Sequence, residues 1–161
     1  MIYLGLHGWR GTHDAAAAIV IDGTLVACVE EERLVREKHA PSRAPKSAIS
    51  GALHTAGITL EDVDAIAYGW DFPRYLASGD HHGLLTNTTQ FLRSELEIDT
   101  PRNIPLEWLN HHRAHAASAF FSSGLTEAAI LVVDGQGEDK SISLFVGDNH
   151  EIRLIRYMRH R

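Results

Sequence analysis

The stretch AILVVDGQGEDKSISLFVGDNHEIRLIRY, residues 129–157, is the part of this 161-residue sequence that decides the fold. It predicts three strands, over 129–133, 141–146 and 152–157, joined by a glycine-rich turn over 134–137 and a tight turn at 148–149. The amino-terminal residues follow the same plan, with strands predicted over 2–6, 15–21 and 25–29, a glycine-rich connection over 8–11 and an Asp22-Gly23 turn. A plan that occurs twice in one chain indicates that the same fold begins twice.

Helices are predicted after the first group of strands. Apolar residues recur at helical spacing from Ala48 to Ala56, and Gly57 follows where a left-handed cap is expected. Thr59 and Asp62 predict a capped turn of helix. We further expect a loop over 33–45, strands over 64–68 and 104–109, and helices over 84–96 and 113–123. Strands that alternate with helices indicate crossover connections and an α/β fold.

The second group of strands ends without helices to cover it. We therefore expect residues 1–127 to form a complete first lobe and residues 128–161 to form the opening β-meander of a second. Three strands without a covering layer leave an apolar face and an edge exposed, so we expect a partner chain to complete this lobe.

This duplicated plan resembles the two-lobed, ribonuclease H-like fold of actin, hexokinase and Hsp70, in which glycine-rich turns face a phosphate-binding cleft. On that analogy Gly135, Gln136 and Gly137 are candidates to contact phosphate or nucleotide.

Composition excludes several classes of protein. The longest apolar run, residues 15–21, is too short to span a membrane, and no basic segment precedes the amino-terminal apolar residues as in a signal peptide. We expect a cytoplasmic protein. The formal net charge of -6 shows no general phosphate-binding footprint, so we do not expect nucleic acid as a partner. The single cysteine, Cys28, lies in a predicted buried strand and is expected in the core.

His111 and His115 are the first candidates for chemistry. They are four residues apart, so in a helix they project from one face with Cβ atoms about 6 Å apart, which suits two ligands of one metal ion. Asp134 ends an apolar strand and would supply an oxygen ligand. Such a set favours iron, zinc or manganese. Alternatively the histidines lie on a helix surface and Asp134 caps a turn. The small-residue helix and the Asp134-Gly135 pair that follows it favour the metal site.

The connection between the first two strands is the second candidate. Its glycines, including Gly11, would let backbone N–H groups approach a phosphate, with Thr12 and Asp14 as further substrate contacts. His13 would donate to a substrate oxygen or act as an acid or base. The alternative is a simple hairpin loop with a solvated histidine.

A charge run follows the third strand. Glu30, Glu31, Glu32 and Arg33 precede a basic loop that contains Lys38. Such a run is most often a solvated face. Alternatively its basic residues, Arg33 and Lys38 among them, receive an anionic substrate.

Several segments together resemble one family. The segments GTHDAAA (11–17), LVACVEEER (25–33), HHRAHAASAFF (111–121) and VVDGQGE (132–138) look like the O-carbamoyltransferases of nodulation-factor, cephamycin and aminoglycoside biosynthesis. The resemblance spans nearly the whole chain in order.

The resemblance implies the amino-terminal part of a Kae1-like domain and carbamoyl transfer as the reaction. Family enzymes use carbamoyl phosphate and ATP to make carbamoyl adenylate in a separate YrdC-like domain, then pass the carbamoyl group to a hydroxyl of a small-molecule natural product. By the matching motifs, His111, His115 and Asp134 would hold a divalent metal, commonly iron. His13 would contact the carbamoyl intermediate and help to remove the hydroxyl proton.

Family members are several times longer than this sequence. We therefore expect the small subunit of a split carbamoyltransferase, inactive alone, whose larger partner chain supplies the rest of the Kae1-like domain and the adenylate-forming domain. Two alternatives remain. One is a protein like those that transfer threonylcarbamoyl to tRNA, although the acidic charge and the VEEER segment speak against it. The other is a non-catalytic piece that binds a metal or a partner.

Overall fold

The structure is a computed structural model that describes residues 1–9, 12–73, 91–93, 96–100 and 102–159, without the side chain of Gln136. Its strands are β1 (Ile2–His7), β2 (Ala16–Ile21), β3 (Thr24–Glu30), β4 (Ala65–Tyr68), β5 (Leu106–Trp108), β6 (Glu127–Gly137), β7 (Lys140–Asp148) and β8 (Glu151–Arg159). Its principal helices are α1 (Glu31–Val35), α2 (Lys46–Ala56) and α3 (His111–Phe121), and a short 3₁₀ turn spans Leu60–Asp62.

The first sheet has five strands in the order β3-β2-β1-β4-β5. β1, β2 and β3 form an antiparallel meander, whereas β4 and β5 run parallel to β1 and are reached by crossovers. Asp22 and Gly23 have φ values of +48° and +82°, as the predicted hairpin turn requires. The strand and hairpin predictions for this region are confirmed.

α2 packs on one face of the first sheet. Its buried residues, Ala48, Ile49 and Ala52, join a core with Leu4, Ile19 and Ile66 from the strands. Gly57 ends the helix with φ +68°, and Thr59 with Asp62 forms the predicted capping box. The predicted helix over 84–96 lies largely outside the described residues. Residues 91–93 are helical there, and Phe91, Leu92 and Leu96 are buried.

The second sheet has three antiparallel strands in the order β6-β7-β8. α3 packs on its inner face, where Ala116 and Phe120 contact a cluster formed by Ile130, Val132, Phe145 and Ile152. The outer face carries exposed apolar side chains, with Leu131 and Val133 66% and 68% accessible. The prediction that no helix covers this sheet was wrong, because α3 covers its inner face; in the described residues the outer face is the exposed apolar one.

The segment 134–137 is not a turn, and this prediction was wrong. β6 continues through it to Gly137, with a register shift against β7 between Val133 and Gly137. Such a shift lets extra residues fit within a strand. The hairpin turn consists instead of Glu138 and Asp139, after which Lys140 pairs with Gly137.

The charge run after β3 also differs from the prediction of a solvated face or a loop. It folds as the short helix α1, and Glu31 is only 3% accessible. The Glu31 carboxylate accepts hydrogen bonds from the backbone N–H groups of Ser47 (3.2 Å) and Ala48 (2.7 Å). These are donors at the start of α2 that have no partner within the helix, so Glu31 caps α2 from a distance.

Cys28 is exposed, contrary to the prediction of a core position. Its neighbour Ala27 belongs to the core, and successive residues of a strand point to opposite faces. Cys28 therefore lies on the face of β3 that α2 does not cover. None of the helices in the described ranges is long and apolar enough to cross a membrane.

Candidate metal and substrate site

α3 presents two histidine side chains from its first turns. Asn110 precedes the helix, and its side-chain oxygen accepts a hydrogen bond from the Arg113 N–H, so the helix begins at His111. His111 and His115 lie one turn apart with ring centroids 4.5 Å apart, and their Nε2 atoms are separated by 3.0 Å. The predicted projection of this pair from one helix face is confirmed.

Asp134 reaches the histidine pair from β6. Its Oδ2 atom lies 2.8 Å from His111 Nε2 and 3.5 Å from His115 Nε2. Two ligands that each bind a metal at 2.0–2.1 Å lie roughly 3.0 to 3.4 Å apart. The three side chains therefore have the spacing of ligands around one ion. The structure brings together all three residues that the sequence proposed.

The Gly69 carbonyl determines which nitrogen of His111 is available to a metal. His111 Nδ1 lies 3.0 Å from this oxygen, which only accepts, so Nδ1 carries the proton. In the neutral ring Nε2 then presents a lone pair toward Asp134 and His115. Two acceptors that face each other repel unless a proton or a cation lies between them. A carbonyl that orients a histidine in this way is the usual support of a metal ligand.

Burial keeps the neighbouring histidines neutral. It lowers the pKa of His115, with a further decrease from His111, while Asp134 acts in the opposite direction. Burial also lowers the pKa of His7 to about 4, and His111 and His115 add to the effect. Neutral imidazole is the form that binds a metal. The ring of His7 lies 5.9 Å from that of His111.

Sequence reasoning missed His7. It ends β1, and the argument from the carboxyl end of a strand that identified Asp134 would have identified it as well.

A cavity of about 560 Å³ opens beside these histidines. His7, His111 and His115 contribute to its wall, and the face of the first sheet opposite α2 contributes small residues such as Gly5, Ala18 and Ala67. A concave, mostly apolar space with a few convergent polar groups is the usual form of a small-molecule site. The histidine cluster and the cavity therefore form one candidate site.

The loop before β2 lies near this cluster, because it connects His7 at the end of β1 to Ala16, its pairing partner in β2. His13 is exposed, and its Nδ1 lies 2.5 Å from Asp14 Oδ2. Asp14 Oδ1 contacts His39 Nδ1 at 2.9 Å. Burial opposes ionisation of Asp14, but its hydrogen bonds with His39 and His13 outweigh that effect and lower its pKa.

The other residues predicted in this loop serve its conformation. The Thr12 hydroxyl oxygen accepts from the Trp9 N–H (3.0 Å) and its O–H donates to the Trp9 carbonyl (3.2 Å). Asp14, Glu32 and His39 each offer one possible metal-ligand atom, and these atoms lie within 4.8 Å of one another. Hydrogen bonds link His39 to Asp14 and to Glu32. Gly11 lies outside the described residues.

The residues predicted to contact an anion have other partners or are exposed. Arg33 pairs with Glu30 (2.8 Å) and Glu32 (3.2 Å), and Lys38 is exposed. Gly135 is exposed, whereas Gly137 is buried against His112. Because 135–137 belong to β6, they do not form the glycine-rich phosphate turn that we predicted.

The fold and the site together define a class of protein. A five-stranded mixed sheet with crossovers, a helix bearing metal-ligand candidates and the start of a second sheet are the parts of a two-lobed, actin-like protein. The structure of YeaZ from Pseudomonas aeruginosa matches this chain with a TM-score of 0.51 at 17% identity, over 97% of this chain and 64% of that one. The predicted fold is therefore confirmed.

Sequence relatives identify the family. A family model described as Carbamoyltransferase N-terminus matches residues 3–77 and 82–160. Nodulation protein NolNO of Sinorhizobium fredii is 37% identical over 89% of this chain and 22% of that protein. The uncharacterized protein sll1178 of Synechocystis is 35% identical, over 87% of this chain and 26% of that protein.

Nodulation protein U of S. fredii is 28% identical over 80% of this chain and 26% of that protein. The chain belongs to the carbamoyltransferase family, and it spans about a quarter of the length of these relatives.

Proposed function

We propose that this chain is the metal-binding part of an O-carbamoyltransferase that acts on a hydroxyl of a small-molecule natural product. The observation that carries the proposal is the convergence of His111, His115 and Asp134 beside a cavity, in a chain of this family. The carbamoyl donor in this proposal is carbamoyl adenylate, made from carbamoyl phosphate and ATP by a YrdC-like domain.

The metal is proposed to be Fe²⁺ or another divalent ion held by His111, His115 and Asp134. Once bound, it would supply positive charge that neutralises the phosphate of the donor. The protein's own part is to present the ligand atoms. The Gly69 carbonyl fixes the tautomer of His111 that directs Nε2 toward Asp134, and burial lowers the pKa of His115.

His13 is proposed to remove the proton of the acceptor hydroxyl. Its Nδ1 faces the Asp14 carboxylate, which orients the ring and favours the proton on that nitrogen. Nε2 is then the atom that would accept the hydroxyl proton. His39 contacts Asp14 from the other side, so the Asp14 carboxylate is held in place beside the His13 ring.

The remaining substrate contacts are proposed for the residues that surround this loop and β6. Gly11, Thr12 and Asp14 flank His13 in the sequence, Lys38 precedes the His39 that contacts Asp14, and Arg33 lies in α1, while Gly135 to Gly137 follow Asp134. Arg33 already pairs with two carboxylates, so contact with an anion would require one of these pairs to open. Gly135 is the exposed glycine of its segment and would contact the phosphate most directly.

A larger partner chain is proposed to cover the outer face of the second sheet. Leu131 and Val133 on β6 are exposed there. Leu144 on β7 pairs with Arg156 on the edge strand β8. Arg153 pairs with Val146 in the same way. Side chains of paired residues lie on one face, so an apolar surface is bordered by arginines. A partner that fits it would bring apolar side chains flanked by acidic ones.

Reconstitution tests the proposed function. The chain would be mixed with the product of the adjacent gene, carbamoyl phosphate labelled at carbon, ATP and a candidate acceptor, and label in the acceptor would be measured. We expect transfer from the mixture and none from either chain alone. Transfer by the small chain alone would refute the split enzyme. Unchanged transfer by the His111→Ala and Asp134→Asn variants would favour a non-catalytic role.

A further inference from the structure

Glu138 joins three parts of the molecule that meet at the candidate metal site. It is the first residue of the β6–β7 turn, four residues after Asp134. Its Oε1 atom accepts hydrogen bonds from the backbone N–H groups of Asp71 (2.9 Å) and His111 (3.0 Å). Its Oε2 atom accepts from the side-chain amide of Asn110. One carboxylate thus links the second sheet, the segment after β4 and the start of α3.

Each of these three parts carries one component of the site. The segment after β4 supplies the Gly69 carbonyl that fixes the His111 ring, and its position is further held by the Gly69 N–H, which donates to the Leu6 carbonyl (3.0 Å). α3 supplies His111, and β6 supplies Asp134. A shift of any one part relative to the others changes the distance from His111 Nε2 to Asp134 Oδ2.

The chemistry of Glu138 suits this role. The first N–H groups of a helix lack partners within the helix, and a negative charge at that end is favourable. Glu138 has a φ of +56°, in the left-handed region that favours glycine over residues with a Cβ atom. A glutamate is thus kept at a turn position that disfavours it, while its carboxylate accepts three hydrogen bonds.

We propose that Glu138 is the positioning residue of the metal site, and that it sets the geometry between His111 and Asp134 through the start of α3. This inference rests on the proposed metal site. It does not require Glu138 to touch the metal or the substrate. Residues that orient metal ligands typically affect metal affinity by about 10- to 100-fold when they are removed.

Three variants separate positioning from a general effect on stability. Glu138→Ala removes the carboxylate but keeps a side chain at positive φ. Glu138→Gln keeps a carbonyl oxygen that accepts from both the Asp71 and His111 N–H groups, and it alters the contact with Asn110. Asp139→Asn changes the other residue of the same turn, which pairs with Lys140 and Arg159 and makes no hydrogen bond to α3 in the described residues.

The full chain, purified with any bound partner retained, would be titrated with Co²⁺ and followed by visible absorption, which reports the coordination of the ion. We expect Glu138→Ala to weaken Co²⁺ binding about 10- to 100-fold and to change the spectrum. Glu138→Gln should restore most of the affinity, and Asp139→Asn should equal the wild type. Amide hydrogen exchange at Asp71 and His111 should be faster in Glu138→Ala only.

The outcomes distinguish this inference from the proposed function. If the wild type binds Co²⁺ and Glu138→Ala binds it equally well with the same spectrum, the role of Glu138 is refuted and the metal site stands. If Glu138→Gln is folded but as weak as Glu138→Ala, positioning through the two N–H groups is also refuted. If the wild type binds no divalent ion, the metal site itself is wrong, and the role of Glu138 is overturned with it.

Discussion

Gly137→Ala should destabilise the chain through one defined collision. A Cβ at this position would lie 2.1 Å from His112 Nε2 and 2.2 Å from His112 Cδ2. His112 is fully buried, and its Nδ1 contacts the Ser143 hydroxyl at 2.7 Å, so the ring has little freedom to move. Overpacking of this kind costs about 1–3 kcal/mol, and loss of the Ser143 contact costs about 1 kcal/mol more.

The expected decrease in the free energy of unfolding is therefore about 2–4 kcal/mol, or roughly 4–16 °C in melting temperature for a domain of this size. Urea unfolding followed by circular dichroism measures it. Gly135→Ala is the matched control, because a Cβ there meets nothing within 4 Å. An equal loss of stability in both variants, or none in Gly137→Ala, would contradict the packing of β6 against His112.

Other predictions concern acid stability, helix capping and the partner surface. The pKa of His7 is lowered to about 4 in the folded state, so the unfolded chain binds the extra proton between about pH 6.5 and 4 and stability falls as the pH falls through that range. Between about pH 6.5 and 4, His7→Gln should reduce the pH-dependent change in the free energy of unfolding by up to about 3 kcal/mol, measured by urea unfolding at each pH. If the free energy of unfolding varies with pH as in the wild type, the burial of a neutral His7 ring is contradicted. Glu31→Ala should cost about 1–3 kcal/mol, because the Ser47 and Ala48 N–H groups lose their acceptor, whereas exposed Glu30→Ala should cost little in the same assay. Leu131→Glu combined with Val133→Glu should leave stability nearly unchanged but abolish copurification with a larger chain, and Leu25→Glu on the edge strand β3 should not; retained copurification would place the partner elsewhere.

Much of the fold could be predicted from short-range patterns. The Asp22-Gly23 turn, the helical spacing that ends at Gly57 and the repeated strand plan each depend on neighbours in sequence, and all agree with the structure. The errors arose where a distant contact decided the outcome. Glu31 is buried because the start of α2, sixteen residues away, needs an acceptor. Cys28 is exposed because α2 covers only one face of β3.

In the candidate site, too, the residues with a local sequence signal could be predicted, and those that depend on distant contacts could not. Spacing alone could place His111 and His115 on one helix face, and the end of an apolar run pointed to Asp134. The glycines after Asp134 indicated a turn, yet β6 continues because its pairing with β7 resumes at Gly137. Gly69 and Glu138 could not be recognised as supports of His111 from sequence, since 42 and 27 residues separate them from it and only the folded chain brings them into contact.

The metal content of the purified protein tests the central claim most directly. The full chain would be isolated without chelators, with any partner retained, and its metals measured by mass spectrometry before and after loading with Fe²⁺ under anaerobic conditions. We predict about one divalent ion per chain, with near-complete loss in His111→Ala and Asp134→Asn and no loss in the exposed control His150→Ala. Metal retained by both site variants, or absent from the wild type after loading, would contradict the assignment of His111, His115 and Asp134 as a metal site.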